Sequence, residues 1–211
     1  GGVRMSITSA GNVAIGSSAA SEKLHLMADG SVGTRIERAS NDGNSGVLDL
    51  YKTRGTLASK SVVGTADTIG ALRAYGYDGS NYIQGGEIAF KTNGTPGTND
   101  MPTQFVVSTT ADGAASPTVR MSIDSAGDIS FYEDTGSDAK MRWDAADERL
   151  NLTGSDYQLS VKQGSNQAWF LRSKSDGSFA IHLNGSNDKL SFSSAGLATF
   201  AGGIAQGGIS G

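Results

Sequence analysis

The segment that decides the fold is RMSITSAGNVAI at residues 4–15, because the chain contains it three times. It returns as RMSIDSAGDISF at residues 120–131 and, more loosely, as KLSFSSAGLATF at residues 189–200. In the first copy, Met5 and Ile7 fall on one side of the chain and Ser6 on the other, which is the period of a half-buried strand. The central Ser-Ala-Gly supplies a glycine for positive φ. Each copy therefore predicts a β-hairpin.

A shorter pattern recurs beside these hairpins: EKLHL at 22–26, ERLNL at 148–152 and DKLSF at 188–192. Two apolar residues separated by one polar residue share a face, so each copy predicts one more strand. The copies are unevenly spaced along the chain, which excludes a uniform solenoid. The pattern instead indicates related hairpins that separate different inserts.

In the rest of the chain, short segments typical of strands are separated by loops rich in turn-forming residues. We therefore predict an all-β fold of short antiparallel strands and hairpin repeats. The one helix-like window, residues 139–149, is better read as two strands joined by a turn at residues 144–147. The expected organisation is a hairpin repeat or shaft connector at 1–33, a compact β domain at 34–118, a hairpin repeat at 119–133, a second β module at 134–187, and a last hairpin repeat at 188–211.

Composition excludes several function classes. The 211 residues include 30 glycines and 3 prolines, and the net charge of −4 comes without a basic run, so we expect no nucleic-acid partner. The absence of cysteine excludes disulfides, thiol catalysis and thiolate metal sites. No apolar run approaches the roughly 18 residues of a membrane helix, so we expect no membrane insertion. The ends of the sequence suggest a piece of a longer protein.

Catalytic motifs are missing as well. Neither Gly-x-Ser-x-Gly nor the phosphate-binding Gly-x-x-x-x-Gly-Lys-Ser/Thr occurs. His25 and His182 each stand alone in an alternating strand, so we predict no metal site and no cofactor. We also predict no catalytic residues. A glycosidase needs only two converging carboxylates, and one sequence does not show which acids converge; the acids near aromatic residues are Asp49, Asp144, Asp147 and Glu148.

Three tyrosines surround the turn-rich residues 78–81. Tyrosine combines an apolar ring that stacks on sugar rings with a hydroxyl that bonds to sugar hydroxyls. We therefore predict a glycan-binding set consisting of Tyr75, Tyr77, Asp78, Asn81 and Tyr82. The alternative is that these tyrosines only flank a turn of an ordinary sheet.

The hairpins also predict assembly. An isolated hairpin is marginally stable, and its apolar side must be covered. A threefold axis would let identical chains cover one another. The predicted trimer-core residues are Met5, Ile7, Val13, Ile15, Met121, Ile123, Ile129, Phe131, Phe192 and Phe200.

The repeated Arg-Met-Ser-Ile-x-Ser-Ala-Gly-Asn/Asp hairpin resembles the recurrent unit of bacteriophage tail-fibre and tailspike proteins. The block YDGSNYI at 77–83, followed by GTPGTNDMP at 94–102 and FVVSTTADG at 105–113, is similar to an internal module of those fibres. The resemblance covers most of residues 3–152 and returns at 188–204. The motifs of the endosialidase-type intramolecular chaperone that ends many of these fibres are not recognisable here.

The resemblance implies an intertwined homotrimeric fibre with compact β modules, carried extracellularly on the virion. Its implied partners are other tail or fibre proteins and a bacterial surface polysaccharide or receptor. The expected function is thus a structural segment of a tail fibre involved in host attachment. Two alternatives remain open, a glycan-degrading tailspike segment and a bacterial surface adhesin or phage-derived contractile particle.

Overall fold

The computed structural model describes residues 5–154, 159–161, 169–173, 175, 177–183 and 188–201. These residues form strands and turns and contain no helix, which confirms the predicted all-β fold. The chain divides into two units, Gly1–Asp49 and Leu50–Gly211.

The first unit contains one three-stranded sheet. Its strands are β1 (Met5–Ile7), β2 (Val13–Ile15) and β3 (Leu24–Leu26). Strands β1 and β2 form the predicted antiparallel hairpin, and β3 pairs with β2 in parallel. The hairpin repeat and the shorter Glu-Lys-Leu-His-Leu pattern therefore meet in one sheet.

The second unit contains a short ribbon and two antiparallel meanders. The ribbon pairs β4 (Arg54–Gly55) with β5 (Lys60–Ser61). The seven strands of the larger meander are β6 (Thr68–Tyr77), β7 (Tyr82–Thr92), β8 (Thr103–Thr110), β9 (Pro117–Ile123), β10 (Ile129–Tyr132), β11 (Ala139–Asp144) and β12 (Arg149–Leu152). The five strands of the smaller one are β13 (Leu159–Val161), β14 (Trp169–Ser173), β15 (Phe179–Leu183), β16 (Asp188–Phe192) and β17 (Ala198–Phe200).

The larger sheet crosses the domain boundaries that we expected at residues 118 and 133. The second hairpin copy is the pair β9 and β10, and it lies in the middle of the sheet between β8 and β11. A hairpin has two open edges. Here β8 pairs with the edge formed by β9, and β11 pairs with the edge formed by β10. The repeat is therefore part of a continuous sheet and does not separate two modules. The window 139–149 forms β11 and the start of β12, as predicted.

All three hairpin copies close with the same turn. The glycine has a positive φ of 72° at Gly11, 90° at Gly127 and 83° at Gly196. The side-chain oxygen of the first turn residue accepts a hydrogen bond from the backbone N–H four residues later, at 3.1 Å for Thr8, 3.1 Å for Asp124 and 3.0 Å for Ser193. The variable position of the repeat thus supplies the side-chain oxygen that accepts the hydrogen bond closing the turn, a role that was not predicted from the sequence.

Replacing Gly127 with valine is expected to lower stability by about 1–2 kcal/mol, because a side chain at this φ is strained. For a protein of this size that is a decrease in Tm of roughly 2–8 °C, which differential scanning calorimetry measures. Gly33→Val is the control, because Gly33 has no positive φ and open space around its Cβ position. Equal Tm values for the two variants would contradict the role of the turn.

The register of the larger sheet puts its large apolar side chains on one side. Directly paired residues share a face, and so do residues two apart along a strand. Two adjacent rows result: Phe90, Phe105, Ile123, Ile129, Trp143 and Leu150 in the first, and Leu72, Ile88, Val107, Met121, Phe131, Met141 and Leu152 in the second. We call these thirteen residues the apolar face, and the opposite side of the sheet the polar face.

The polar face is covered by its own side chains. Small residues in its centre are buried, among them Ala89 and Ser122. Around them lie hydrogen-bonded polar side chains. Glu87 pairs with Arg73 and Lys91, and the Tyr132 hydroxyl lies 3.0 Å from the Ser122 hydroxyl. The polar face therefore needs no further layer of protein to cover it.

The Asp128 side chain forms hydrogen bonds between two neighbouring turns at one end of the polar face. Its Oδ1 accepts a hydrogen bond from the Ala145 N–H at 2.8 Å, and its Oδ2 pairs with the Arg142 guanidinium. The Ala145 N–H and then Arg142 hold the pKa of the Asp128 carboxyl below its ordinary value. The contact links the turn before β10 to the turn after β11.

Asp128 is expected to make the protein acid-sensitive. A lowered pKa in the folded state means that the unfolded chain takes up the proton first, so the stabilisation is fully present above the unfolded pKa of about 4. It is lost as pH falls through the lower folded pKa. Between pH 5 and pH 2, the Tm of Asp128→Asn is therefore expected to fall less steeply than that of the wild type. Parallel curves of Tm against pH would rule this out.

Candidate functional site

The apolar face is largely uncovered by the other described residues, although the Leu50 side chain lies against Gly70, next to Phe90 of the first row. Seven of its thirteen side chains are exposed, by 40% to 72% of their area, with Leu72 the most exposed and Leu150 next. Soluble monomers rarely expose contiguous apolar patches larger than a few hundred Å². A face of this composition, which crosses seven strands, has the chemistry of a protein interface.

The described residues also form no large hydrophobic core. Five hydrophobic side chains are buried among the described residues, and none is larger than valine: Ala14, Val63, Ala89, Val106 and Ala180.

The structure brings the predicted trimer-core residues together within each sheet. In the larger sheet, Ile123 pairs with Ile129 and Met121 with Phe131, so all four lie on the apolar face. In the first unit, Met5 pairs with Ile15 and Ile7 with Val13, again on one face. Phe192 and Phe200 lie on one face of the smaller sheet, since Phe200 pairs with Leu190, two residues before Phe192. Their position at a threefold axis stays a prediction.

Most residues of the apolar face, including Trp143, Leu150, Phe90 and Phe105, were not predicted from the sequence. The alternation of apolar and polar residues in β8, β11 and β12 was the available signal. Alternation predicts that these strands have an apolar side, but it does not predict which strands pair. The continuous rows appear only when the register of all seven strands is known.

The five predicted glycan-binding residues lie at the tip of the β6–β7 hairpin. Strand β8 pairs with β7 only from Gly86 to Thr92, so the tip has no third strand beside it among the described residues. Tyr77 and Tyr82 are directly opposite each other, with ring centroids 5.4 Å apart. Both rings are exposed, as is Tyr75. The tip therefore presents three accessible tyrosines.

The turn at the tip is held by Asp78. Its Oδ1 accepts hydrogen bonds from the N–H groups of Ser80 and Asn81, both at 2.7 Å, and its own N–H donates to the Asn81 carbonyl at 3.0 Å. The N–H groups of Asn81 and then Ser80 hold the pKa of Asp78 below its ordinary value, so its carboxylate is charged at neutral pH. Asp78 thus has a structural role in the turn, and sugar binding by Asp78 and Asn81 stays a prediction.

The tyrosines lie on the polar face. In β6, Arg73, Tyr75 and Tyr77 are two residues apart and therefore lie on the same side of the strand. Arg73 forms a 2.5 Å ion pair with Glu87 on the polar face. Gln84 connects Tyr75 to this ion pair, since its side chain lies 3.5 Å from the Tyr75 hydroxyl and 3.5 Å from the Glu87 carboxylate. The tyrosine tip and the apolar face therefore use opposite sides of the sheet, and a ligand at the tip need not compete with assembly.

Two of the four carboxylates considered for glycoside hydrolysis, Asp144 and Asp147, have structural contacts. Asp144 is buried, lies 3.5 Å from Arg142 and accepts the Asp147 N–H at 3.1 Å. Asp147 pairs with Arg149 at 2.7 Å. Glu148 occupies the turn with a φ of 49°. Asp49 belongs to the first unit and is exposed.

Nowhere in the described ranges do three side chains of the His, Asp and Glu types gather in a geometry suited to a metal ion. His25 lies 3.2 Å from the Ser21 hydroxyl, and His182 packs 6.3 Å from the Phe170 ring. Over the same part of the chain, no helix has the length and hydrophobicity needed to cross a bilayer.

Comparison with known proteins identifies the fold. No family model matches the chain, and no curated protein matches its sequence. The carboxy-terminal domain of the bacteriophage T5 L-shaped tail fibre matches with a TM-score of 0.50 and 17% identity, over 77% of this chain and 68% of that one. The same domain together with its intramolecular chaperone domain matches with a TM-score of 0.51 and 17% identity, over 77% of this chain. This chain spans 47% of the length of that second protein.

The predicted resemblance to phage tail fibres is thus confirmed at the level of the fold.

Proposed function

We propose that this chain is a non-enzymatic structural segment of a homotrimeric phage tail fibre, exposed on the virion, and that it contributes to host attachment by weak binding of surface glycan at the β6–β7 tip. The observation that carries the proposal is the largely uncovered apolar face of a chain whose fold is that of a tail-fibre domain.

Three copies explain the apolar face. If the chains surround one axis with their apolar faces inward, the exposed rows of each chain cover those of the other two. Closed cyclic symmetry is the usual arrangement of identical chains, and it leaves no interface open. The polar face, whose side chains already satisfy one another, then lies outside in water.

The same arrangement places three tyrosine tips on the outside of the fibre. Each tip offers aromatic rings and hydroxyls but only a small contact area, so each site is expected to be weak. Three tips on one particle bind with higher avidity than one, without any strong individual site. Multivalent weak binding suits attachment to a repetitive polysaccharide.

The rival function is hydrolysis of the glycan by a carboxylate pair. Asp144 accepts the Asp147 N–H and Asp147 pairs with Arg149, so both carboxylates have a structural role that does not require catalysis.

One experiment tests both parts of the proposal. The purified protein is sized by light scattering, then incubated with a panel of purified bacterial lipopolysaccharides and capsular polysaccharides while binding and new reducing ends are measured. We expect trimers, binding to a subset of the glycans and no new reducing ends. A monomer would overturn the assembly, failure to bind any glycan of the panel would count against attachment at the tip, and turnover would establish the enzymatic alternative.

A further inference from the structure

A positive charge lies beside the tyrosines of the β6–β7 tip. Arg73 is two residues before Tyr75 in β6, and Tyr75 is two residues before Tyr77. The pairing of this hairpin skips Gly85, which belongs to β7, so the alternation of side chains in β6 is regular. The guanidinium and the two phenol rings therefore form a row about 13 Å long on the polar face.

The guanidinium of Arg73 is only partly engaged within the chain. Its Nε donates a hydrogen bond to Glu87 Oε2 at 2.5 Å. In the part of the chain that the structure describes, neither of its two terminal amino groups has a hydrogen-bond partner. Arg54 and Arg142 differ, because each directs both Nε and Nη2 to one carboxylate. Arg73 therefore retains the two donors at the outer end of its side chain.

The charges around Arg73 leave an excess of positive charge. Glu87 lies between two cations, since its Oε1 is 3.7 Å from Lys91 Nζ while its Oε2 bonds to Arg73. The Arg73 side chain is 45% exposed and that of Glu87 only 11%, so an incoming anion meets the guanidinium first. The other carboxylate of the hairpin, Asp78, is five residues from Arg73, about 17 Å in an extended strand. That distance exceeds the Debye length of about 8 Å at physiological ionic strength.

We propose that the β6–β7 tip binds an acidic glycan, in which the terminal amino groups of Arg73 hold a carboxylate or phosphate of one sugar while Tyr75 and Tyr77 contact the neighbouring sugars. This inference rests on the proposed glycan binding and narrows it to one chemical class. A guanidinium binds either anion through two parallel N–H groups, a geometry that the lysine ammonium lacks. A neutral polysaccharide offers rings to the tyrosines but no anion to Arg73, so the tip should discriminate against it.

The test uses the polysaccharides of the panel that the wild-type protein binds. Each is compared with its carboxyl-reduced form, in which the carboxylates have become neutral alcohols, and with its dephosphorylated form. We expect one of the two treatments to weaken binding at least about tenfold, because a charge-assisted bidentate contact is lost. Biolayer interferometry measures the binding. Equal binding of a glycan and both of its treated forms would overturn the acidic class and leave the proposed function standing, whereas a protein that binds no glycan would overturn both.

Variants of Arg73 test whether this residue holds the anion. Arg73→Gln is expected to weaken binding of the untreated glycan at least about tenfold and to leave binding of the form that has lost its anion unchanged. Arg73→Lys keeps the charge without the parallel donors, so it should recover only part of the affinity.

The matched control is Arg149→Gln. Arg149 is an exposed arginine that pairs with Asp147, and it belongs to β12, six strand spacings or about 29 Å from β6 in the same sheet. Its loss removes the same charge, and we expect wild-type binding. If Arg73→Gln binds the untreated glycan as the wild type does, or weakens binding of untreated and treated glycans equally, Arg73 does not hold the anion.

Discussion

Replacing Phe105 with glutamate is expected to convert the proposed trimer, whose mass would be about 65 kDa or three times the 21.6 kDa chain, into a monomer. Phe105 lies in the first apolar row, with its ring 5.5 Å from that of Phe90. In the trimer, three such carboxylates would lie in the apolar interior, and each unpaired buried charge costs several kcal/mol. Removing the phenylalanine loses a further 2–3 kcal/mol per chain, roughly. Light scattering at micromolar concentration measures the mass.

The neighbouring residue provides the control. Gln104 precedes Phe105 in β8 and points to the polar face, so Gln104→Glu adds the same charge on the other side of the same strand. We expect Gln104→Glu to remain a trimer and both variants to keep the far-ultraviolet circular dichroism of a β protein. If Phe105→Glu stays trimeric, the apolar face is not the interface.

Removing both paired tyrosines at the hairpin tip is expected to weaken glycan binding about 30-fold at each site. Tyr77 and Tyr82 are exposed and directly opposite each other, so both rings can contact one sugar. Taking about 1 kcal/mol for each ring, the pair contributes about 2 kcal/mol, and each 1.4 kcal/mol is a factor of ten. Tyr77→Ser with Tyr82→Ser is compared with the wild type by biolayer interferometry on an immobilised polysaccharide that the wild type binds. With three tips per particle, the loss of avidity should exceed the loss at one site.

The control for this variant is Tyr51→Ser. Tyr51 is 92% exposed and lies outside the hairpin, so its loss removes an exposed tyrosine without changing the tip. Binding by Tyr51→Ser is expected to equal that of the wild type. Equal binding by the tip variant would show that glycan is bound elsewhere on the chain.

The local structure was largely predictable, because it depends on residues close in sequence. The repeated hairpins, the positive φ of Gly11, Gly127 and Gly196, and the turn between β11 and β12 all follow from short-range chemistry. The grouping of Tyr75, Tyr77 and Tyr82 was predictable for the same reason, since one hairpin places them together. The parallel pairing of β3 with β2 was not, because nothing in either strand specifies its neighbour.

The sequence alone established that this protein is an all-β chain of hairpins with apolar sides and turns closed by glycine. The alternation of apolar and polar residues and the chemistry of turns both act over a few residues. Only the tertiary structure decided that β6 to β12 form one sheet, that thirteen apolar residues share one largely uncovered face and that the tyrosines lie on the other. These properties depend on register across seven strands. Pairing between distant residues sets that register, and shifting one strand by a single residue would move its side chains to the opposite face.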